Sequence, residues 1–316
     1  MTQFAFVFPG QGSQAVGMLD GWGDHPAVTD TLKEASDALG EDVARLIQEG
    51  PKEALALTTN TQPVMLVAGV AAYRAWLAEG GPKPAVVAGH SLGEYSALVA
   101  SGVLTLAQAA PLVRFRAQAM QEAVPVGEGA MAAILGLPAD QVAAGCAQAM
   151  QEVPGEVAEA VNFNDTAQTV IAGSKAGVEH ACKVLKDMGA KRALPLPVSA
   201  PFHSSLMKPA AERLRERLAV TELATPVIPV VNNIDVAVET DPARIRDALY
   251  RQAFGPVRWV ECVQAIQARG INHVLECGPG KVLAGMNKRI DGTIVSASVF
   301  DPASLAEVRS LLEQEQ

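Results

Sequence analysis

Cysteine is scarce in this chain: four residues of 316, at Cys146, Cys182, Cys262 and Cys277, lie 36, 80 and 15 positions apart. With no CxxC pair and no histidine at metal-ligand spacing, they indicate neither a zinc site nor a disulfide framework, and a reducing cytoplasm suits that usage. Long apolar runs are missing too. Nothing approaches the roughly 18 residues of a membrane span. The start, Met1-Thr2-Gln3-Phe4, has neither the basic residues nor the apolar stretch of a signal peptide. Positive charge is in deficit: 25 Lys and Arg against 34 Asp and Glu give a net charge of −9. That excludes generic nucleic-acid binding, and an acidic partner must find a local basic patch. No internal repeat or low-complexity run occurs, and a disordered tail is expected only at residues 313–316. The chain is otherwise 49% hydrophobic and 19% charged, with Gly and Pro scattered, which suits a soluble globular protein of one large or two domains.

The most informative segment is Gly89-His90-Ser91-Leu92-Gly93. It lies where a short apolar run, residues 85–88, gives way to a helix-like run, residues 94–100. Glycines two before and two after a serine permit a sharp strand-to-helix turn, a nucleophile elbow. Oγ is then held over a helix N-terminus, whose free N–H groups and positive dipole end favour an oxyanion. The Leu92 N–H is one expected donor. Read structurally, the same residues are only a turn with Ser between two Gly.

Upstream, residues 3–8 form a strand-like opening that breaks at Pro9-Gly10-Gln11-Gly12-Ser13-Gln14. Gly10, Gly12 and Ala15 match the dinucleotide fingerprint, but no early second strand ending in an acidic residue follows, so the match is weak. Helical spacing covers residues 61–77. Thr105 with Gln108 resembles a capping box opening a helix through Arg114 and Arg116 towards Met120. From about Gly127 the pattern changes. Residues 130–135, 138–150, 157–163, 168–172, 175–188 and 192–198 alternate β-α-β-β-α-β, the split-βαβ order of a ferredoxin-like unit. This reads as an insertion, residues 127–198, between core segments 1–126 and 199–316. The chain resumes with helix 207–219, strand 227–232, helices 241–252 and 259–269, and strand 273–276.

A serine nucleophile needs a base. His90 adjoins Ser91 in the turn and is expected to point away from its hydroxyl. His180 sits on a polar helix face, His25 precedes Pro in a loop, and His273 opens a strand. His203 lies in Val198-Ser-Ala-Pro-Phe-His203, a loop where the core resumes, and such loops hold catalytic groups over a scaffold. Residues alone leave it equally readable as a surface loop histidine.

The chain resembles the malonyl-CoA:acyl carrier protein transacylase family over essentially its whole length. The motifs that carry the resemblance are Phe8-Pro-Gly-Gln-Gly-Ser-Gln14, Asn60-Thr-Gln-Pro63, Gly89-His-Ser-Leu-Gly-Glu94, Arg116 with Met120-Gln-Glu-Ala-Val-Pro125, Val161-Asn-Phe-Asn164, Val198 to His203, Gln252 and Glu276-Cys-Gly-Pro-Gly280. Eight motifs in order are specific where each alone is weak. The resemblance implies an α/β-hydrolase-like core interrupted by a ferredoxin-like subdomain. It implies Ser91 as nucleophile, His203 as base, and Gln252 orienting the imidazole through its backbone carbonyl. A carboxylate third member is then not required, and no Asp or Glu between 91 and 203 has a distinctive setting. The implied oxyanion donors are the N–H groups of Gln11 and Leu92. Gly10 and Gly12 are then expected to let that backbone approach the acyl oxygen.

Within the resemblance, Arg116 selects the substrate, because a guanidinium fork matches the malonyl carboxylate that an acetyl group lacks. Arg114, two positions away, is expected to be an ordinary exposed helix arginine. Phe202, Gln62, Asn162 and Asn164 match the family's pocket region. The implied reaction is malonyl transfer from malonyl-CoA to the phosphopantetheine thiol of acyl carrier protein through a malonyl-serine, with no metal or redox cofactor, no nucleic acid and no membrane. Lys191-Arg192 and Lys288-Arg289 are nominated as the basic patch for the carrier protein. Alternatives are a serine hydrolase on the same elbow, a dinucleotide-binding oxidoreductase, a non-catalytic carrier-protein module, and the same transfer serving polyketide rather than fatty-acid assembly.

Overall fold

A run of five apolar residues, Phe4–Phe8, is buried along its whole length, as a strand covered on both faces requires. In the computed structural model, which describes residues 2–198 and 200–314, this strand (β1) is the centre of a parallel sheet. Its neighbours are β2 (Val86–Gly89) and β8 (His273–Cys277); β7 (Val230–Val231) and β9 (Ser298–Val299) form the edges, in the order β7-β2-β1-β8-β9. Parallel neighbours must be joined by crossovers, and helices supply them.

The largest of these is α4 (Thr58–Ala78), whose residues are apolar nearly all round because it is enclosed nearly all round. Trp76 and Tyr73 project from it edge-on to Phe4, Phe6 and Phe8, with ring centroids 5.3–6.2 Å apart. Around it pack α1 (Pro26–Leu39), α3 (Lys52–Ala56), α5 (Gly93–Ala100) and α6 (Leu106–Glu122), with α2 (Val43–Glu49) set against α1 and α3. The expected capping box opens α6: Thr105 Oγ1 accepts from the Gln108 N–H at 3.2 Å, while Gln108 Oε1 accepts from the Thr105 N–H at 2.9 Å.

A second, antiparallel sheet holds β3 (Gly129–Leu135), β4 (Ala158–Asp165), β5 (Gln168–Ser174) and β6 (Arg192–Pro195) in the order β4-β5-β3-β6. On it lie α7 (Ala139–Glu152) and α8 (Lys175–Asp187), enclosing their own apolar cluster of Ile134, Val142, Ile171 and Leu185. The chain then returns through α9 (Lys208–Ala219), α10 (Pro242–Gln252), α11 (Trp259–Gln267), α12 (Val282–Ile290) and α13 (Pro302–Gln314). The result is a mixed α/β fold with one parallel and one antiparallel sheet. The antiparallel sheet is tied to the segment between α10 and α11, where β4 meets the backbone of Val257 with bonds from Phe163 N at 3.0 Å and to Val161 O at 2.8 Å.

Several boundaries differ from expectation. The strand expected over residues 227–232 pairs only at Val230–Val231, and Val227 is exposed. That expected over 192–198 ends at Pro195, beyond which Ser199 lies outside the described residues. The expected tail begins inside α13, which runs to Gln314; residues 315–316 also lie outside the described residues. The first three helices were not foreseen, nor were α12, β9 and α13. His25, expected in a loop, caps α1 instead, its Nδ1 accepting from the Ala27 N–H at 3.2 Å.

Candidate active site

Between β2 and α5 the chain reverses so tightly that side chains have no room. A Cβ on Gly89 would lie 1.9 Å from the Gly93 carbonyl carbon, and one on Gly93 would lie 2.0 Å from the Phe8 carbonyl oxygen. Both glycines are therefore demanded by close approach. The left-handed position belongs to Ser91 itself, at φ 52°, a conformation that a non-glycine residue holds only when its surroundings over-determine it. Asn233 does so. Its Oδ1 accepts from the Ser91 N–H at 2.8 Å and its Nδ2 donates to the Gly89 carbonyl at 2.7 Å, clamping the elbow from both ends. Asn233 was not legible in the sequence, where it was one of two adjacent asparagines after a short strand.

His203, the histidine expected to serve as base, lies beside Ser91. Nδ1 of His203 lies 2.9 Å from the Gln252 carbonyl oxygen, which can only accept, so Nδ1 carries the proton. Nε2 then presents a lone pair to Ser91 Oγ, which donates to it at 2.6 Å. His203 is buried and, like Ser91, held at positive φ, 67°. Burial, reinforced by the Arg116 charge and opposed by the Gln252 carbonyl, lowers its pKa to about 3. The imidazole is thus neutral throughout the physiological range, with its Nε2 lone pair free to accept a hydrogen bond from the Ser91 hydroxyl.

Arg116 is 1% exposed. Nη1 donates to Gln62 Oε1 at 2.5 Å, and Nη2 to Gln252 Oε1 at 3.1 Å and Ser91 Oγ at 3.3 Å. The guanidinium also stands over the Tyr95 ring, 5.4 Å from its centroid. Each of these hydrogen-bond partners is neutral, so a buried cation faces the Ser91 hydroxyl with hydrogen-bonding capacity but no contacting carboxylate, a setting suited to an anionic ligand. Arg114 departs from expectation. Its side chain is only 14% exposed; it pairs with Glu41 at 2.5 Å and donates to the Thr59 carbonyl and Asn60 Oδ1, at 2.6 and 2.7 Å. It ties α6 to the start of α4 from a face about 200° around the helix from that of Arg116, and the packing of α4 and Glu41 over that face keeps it out of water.

A cavity of about 360 Å³ opens over Ser91, lined also by Gln11, Leu92, Arg116, His203, Phe202, Gln62 and Asn162. Gln252 stands behind it. The side chain of Gln11 is drawn aside, its Oε1 accepting from Thr58 Oγ1 at 2.7 Å. The loop carrying Gln11 crowds the elbow, since a Cβ on Gly10 would sit 2.5 Å from the His90 carbonyl oxygen and 3.7 Å from the Leu92 nitrogen. Gly10 is thus required by its contact with the elbow. Gly12 is required by its φ of 116°. Asn162 Oδ1 is buried without a protein partner among the described residues.

Other expectations are refined by the structure. His90 turns from the hydroxyl to Asn164 Oδ1, 2.8 Å away, linking the elbow to β4, and burial lowers its pKa. His180 pairs with Glu152 at 2.6 Å on the outside, and His273 is buried in β8. The statement that no carboxylate between 91 and 203 is distinctive is wrong. Glu94 is 2% exposed directly behind the elbow, and burial lifts its pKa to about 7. Its position in the Gly89-to-Glu94 motif was the available signal. Among the described residues no cluster of His, Cys, Asp and Glu could hold a metal ion, and no helix is long and apolar enough to cross a membrane.

The profile of the acyl transferase domain family matches residues 5–292. A malonyl CoA-acyl carrier protein transacylase of Salmonella typhimurium is 53% identical over 97% of this chain and 98% of its own length. An acyl-carrier-protein S-malonyltransferase from Burkholderia pseudomallei superposes with a TM-score of 0.96 at 66% identity, covering 98% of this chain and 100% of that one. A malonyl-transacylase solved in complex with its type II PKS acyl-carrier protein gives a TM-score of 0.95 at 49% identity, over 99% and 100% of the two chains.

Proposed function

From the premise that the chain belongs to the acyl transferase domain family, we propose that its Ser91–His203–Arg116 site moves a malonyl group from malonyl-CoA to the phosphopantetheine thiol of acyl carrier protein. The enzyme is an acyltransferase, and malonyl-CoA and the carrier protein are its two substrates. The observation that carries the assignment to these residues is the buried Arg116 guanidinium 3.3 Å from Ser91 Oγ.

In the first half-reaction His203 Nε2 takes the hydroxyl proton as Oγ attacks the thioester carbonyl. The tetrahedral oxyanion is held by the N–H groups of Gln11 and Leu92, and its collapse breaks the C–S bond, the proton passing from His203 to the CoA sulfur. Malonyl remains as an ester on Ser91, with its carboxylate two carbon–carbon bonds from the ester oxygen's carbon and within reach of Arg116. In the second half-reaction His203 deprotonates the incoming thiol, which attacks the ester and frees Oγ to recover its proton. Gln252 keeps the imidazole in the required tautomer through its carbonyl. Gln62, Phe202 and Asn162 shape the pocket. The scheme uses no cofactor; the CoA thioester is a substrate.

Residues 127–198 form a ferredoxin-like subdomain inserted into an α/β-hydrolase-like core of residues 1–126 and 199–316. The strand order β4-β5-β3-β6 and the separate apolar cluster between that sheet and its helices support this division. The enzyme works in the cytoplasm and serves fatty-acid biosynthesis. Polyketide assembly is the second reading, favoured by the similarity to a transacylase solved with a PKS carrier protein.

The test is intact mass after mixing with malonyl-CoA, followed by peptide mapping. One malonyl adduct on the Ser91 peptide is expected, and Ser91→Ala, which removes one oxygen, should retain the fold and accept none. Malonylation of that variant at the normal rate would move the nucleophile elsewhere, and free malonate appearing as fast as CoA would make the enzyme a hydrolase.

A further inference from the structure

Behind the reacting groups lies a carboxylate that the mechanism above does not use. Glu94, in the first turn of α5, has its Oε2 bound by two donors: the Asn233 N–H at 2.9 Å and Gln252 Nε2 at 2.9 Å. Gln252 Nε2 also donates to the Ser91 carbonyl at 3.1 Å. Both amide hydrogens are thereby aimed at acceptors, and Oε1 turns to Arg116 Nη2.

A primary amide offers one acceptor and two donors, a carboxylate only acceptors and a guanidinium only donors. Turned over, Gln252 would face its oxygen to the Glu94 carboxylate and the Ser91 carbonyl, and its NH₂ to the guanidinium. Every contact would then set like against like, in a place where an unmatched polar group is costly. Arg116 is therefore held from two sides by oxygens, Gln62 Oε1 on Nη1 and Gln252 Oε1 on Nη2. One of those oxygens is fixed only by what lies behind it.

We propose that Glu94 is a positioning residue that locks the Gln252 amide with its oxygen toward Arg116, aims the guanidinium at the malonyl carboxylate, and so sets the preference for malonyl over acetyl groups. This rests on the reading of Arg116 as the carboxylate site. The lock is geometric: Oε2 accepts from a backbone N–H that cannot rotate away, so an amide at position 94 must present its own oxygen there and keep Gln252 in the same orientation. Removing the acceptor leaves the Gln252 amide held by the Ser91 carbonyl and the guanidinium, both at 3.1 Å, and so loosens its orientation, while the Gln252 backbone carbonyl goes on holding His203.

The experiment measures kcat/KM for acylation by malonyl-CoA and by acetyl-CoA in wild type, Glu94→Leu, Glu94→Gln and, as reference, Arg116→Ala. Glu94→Leu should lower the malonyl-to-acetyl ratio by about 10- to 100-fold, the worth of one misplaced hydrogen bond to a charged group. Glu94→Gln should restore most of it. Equal losses for both substrates in Glu94→Leu would reduce Glu94 to a structural support, and a Glu94→Gln ratio as low as that of Glu94→Leu would make charge, not amide orientation, the operative property; either overturns the inference. Should Glu94→Leu not fold, Glu94→Asn, one methylene short of Gln252, must show the same fall, and a wild-type ratio there is equally fatal. An unshifted ratio in Arg116→Ala overturns the carboxylate site itself and the inference with it. A shifted ratio in Arg116→Ala beside an unshifted one in Glu94→Leu removes the inference alone.

Discussion

Arg116 is the residue whose loss should change which substrate is used rather than whether the enzyme works. Its fork is buried and its contacts are neutral, so on the proposed assignment its truncation should leave the malonyl carboxylate unpaired. The expected cost is about 2–5 kcal/mol, or about 30-fold to several thousandfold in kcat/KM. Acetyl transfer should hold or rise, since no buried cation then sits opposite its methyl group. Lysine at 116 should recover only part, because a point charge does not reproduce a bidentate fork. Equal losses for malonyl and acetyl groups would assign Arg116 a structural role. His203 gives the pH dependence. Its folded pKa lies below the usual value for histidine, at about 3, so the neutral base persists as pH falls, and kcat/KM for acylation should show no His203 limb near 6.5. The Arg116 charge contributes to that depression, and Arg116→Ala assayed with acetyl-CoA should move the acid limb upward; a limb that stays put would detach the two groups. His203→Ala should slow both half-reactions by about 10² to 10⁴-fold.

Among the elements, α12 depends on a carboxylate in the neighbouring strand. Glu276 in β8 is fully buried, and its Oε2 accepts the Ala284 N–H at 2.9 Å at the helix N-terminus. Burial outweighs these backbone bonds and lifts its pKa to about 7 from the ordinary 4.5. A carboxyl group whose folded pKa is raised contributes stability fully below its unfolded pKa and loses that contribution as pH rises through the folded one. Between about pH 4.5 and pH 7, Glu276 should therefore cost the fold up to about 3 kcal/mol. Glu276→Gln keeps an acceptor for α12 and cannot ionise. Its unfolding free energy relative to wild type should improve across that window by denaturant titration at several pH values, and a difference that ignores pH would refute the account. Comparing the two proteins cancels the opposing contribution of the buried histidines.

At the scale of the whole molecule, a protein of net charge −9 must dock a second protein, its carrier-protein substrate, and the proposed docking surface is a local basic one. The two nominated basic pairs, almost a hundred residues apart, border a single feature, the turn between β4 and β5. The Lys191 N–H donates to the Leu135 carbonyl beside Gly136, whose N–H reaches the Ala167 carbonyl; Thr166 Oγ1 donates to the Arg289 carbonyl at 3.4 Å. Arg289 is partly neutralised by Asp165 at 2.7 Å, so Lys191, Arg192 and Lys288 carry the exposed charge. Reversing Lys191 and Arg192, or Lys288, should raise KM for the carrier protein and weaken its salt dependence while CoA release in the first half-reaction is unchanged. Normal transfer in both variants would remove this surface from consideration.

What the sequence by itself determined was local. Residues 89–93 announce the elbow because glycine spacing, strand and helix are all within ten positions, and the β-α-β-β-α-β alternation is a one-dimensional pattern whose elements recur with their order intact. Helix α1 escaped because its inward face is carried by Val28, Thr31 and Ala35, too small and too polar to stand out as an apolar stripe. The tertiary structure decided everything that depends on distance across the chain. Ser91 meets His203 over 112 positions, and Asn233 clamps the elbow from 142 positions away. Arg114 and Arg116, alike in type and two positions apart, receive different partners because a helix turns them toward different neighbours. Glu94 closes the Gly89-to-Glu94 motif in sequence, but its burial as an acceptor for the Asn233 N–H and Gln252 Nε2 comes from the packing of distant segments around it. Burial and the matching of donors to acceptors are properties of the packed chain, and no single stretch of residues contains them.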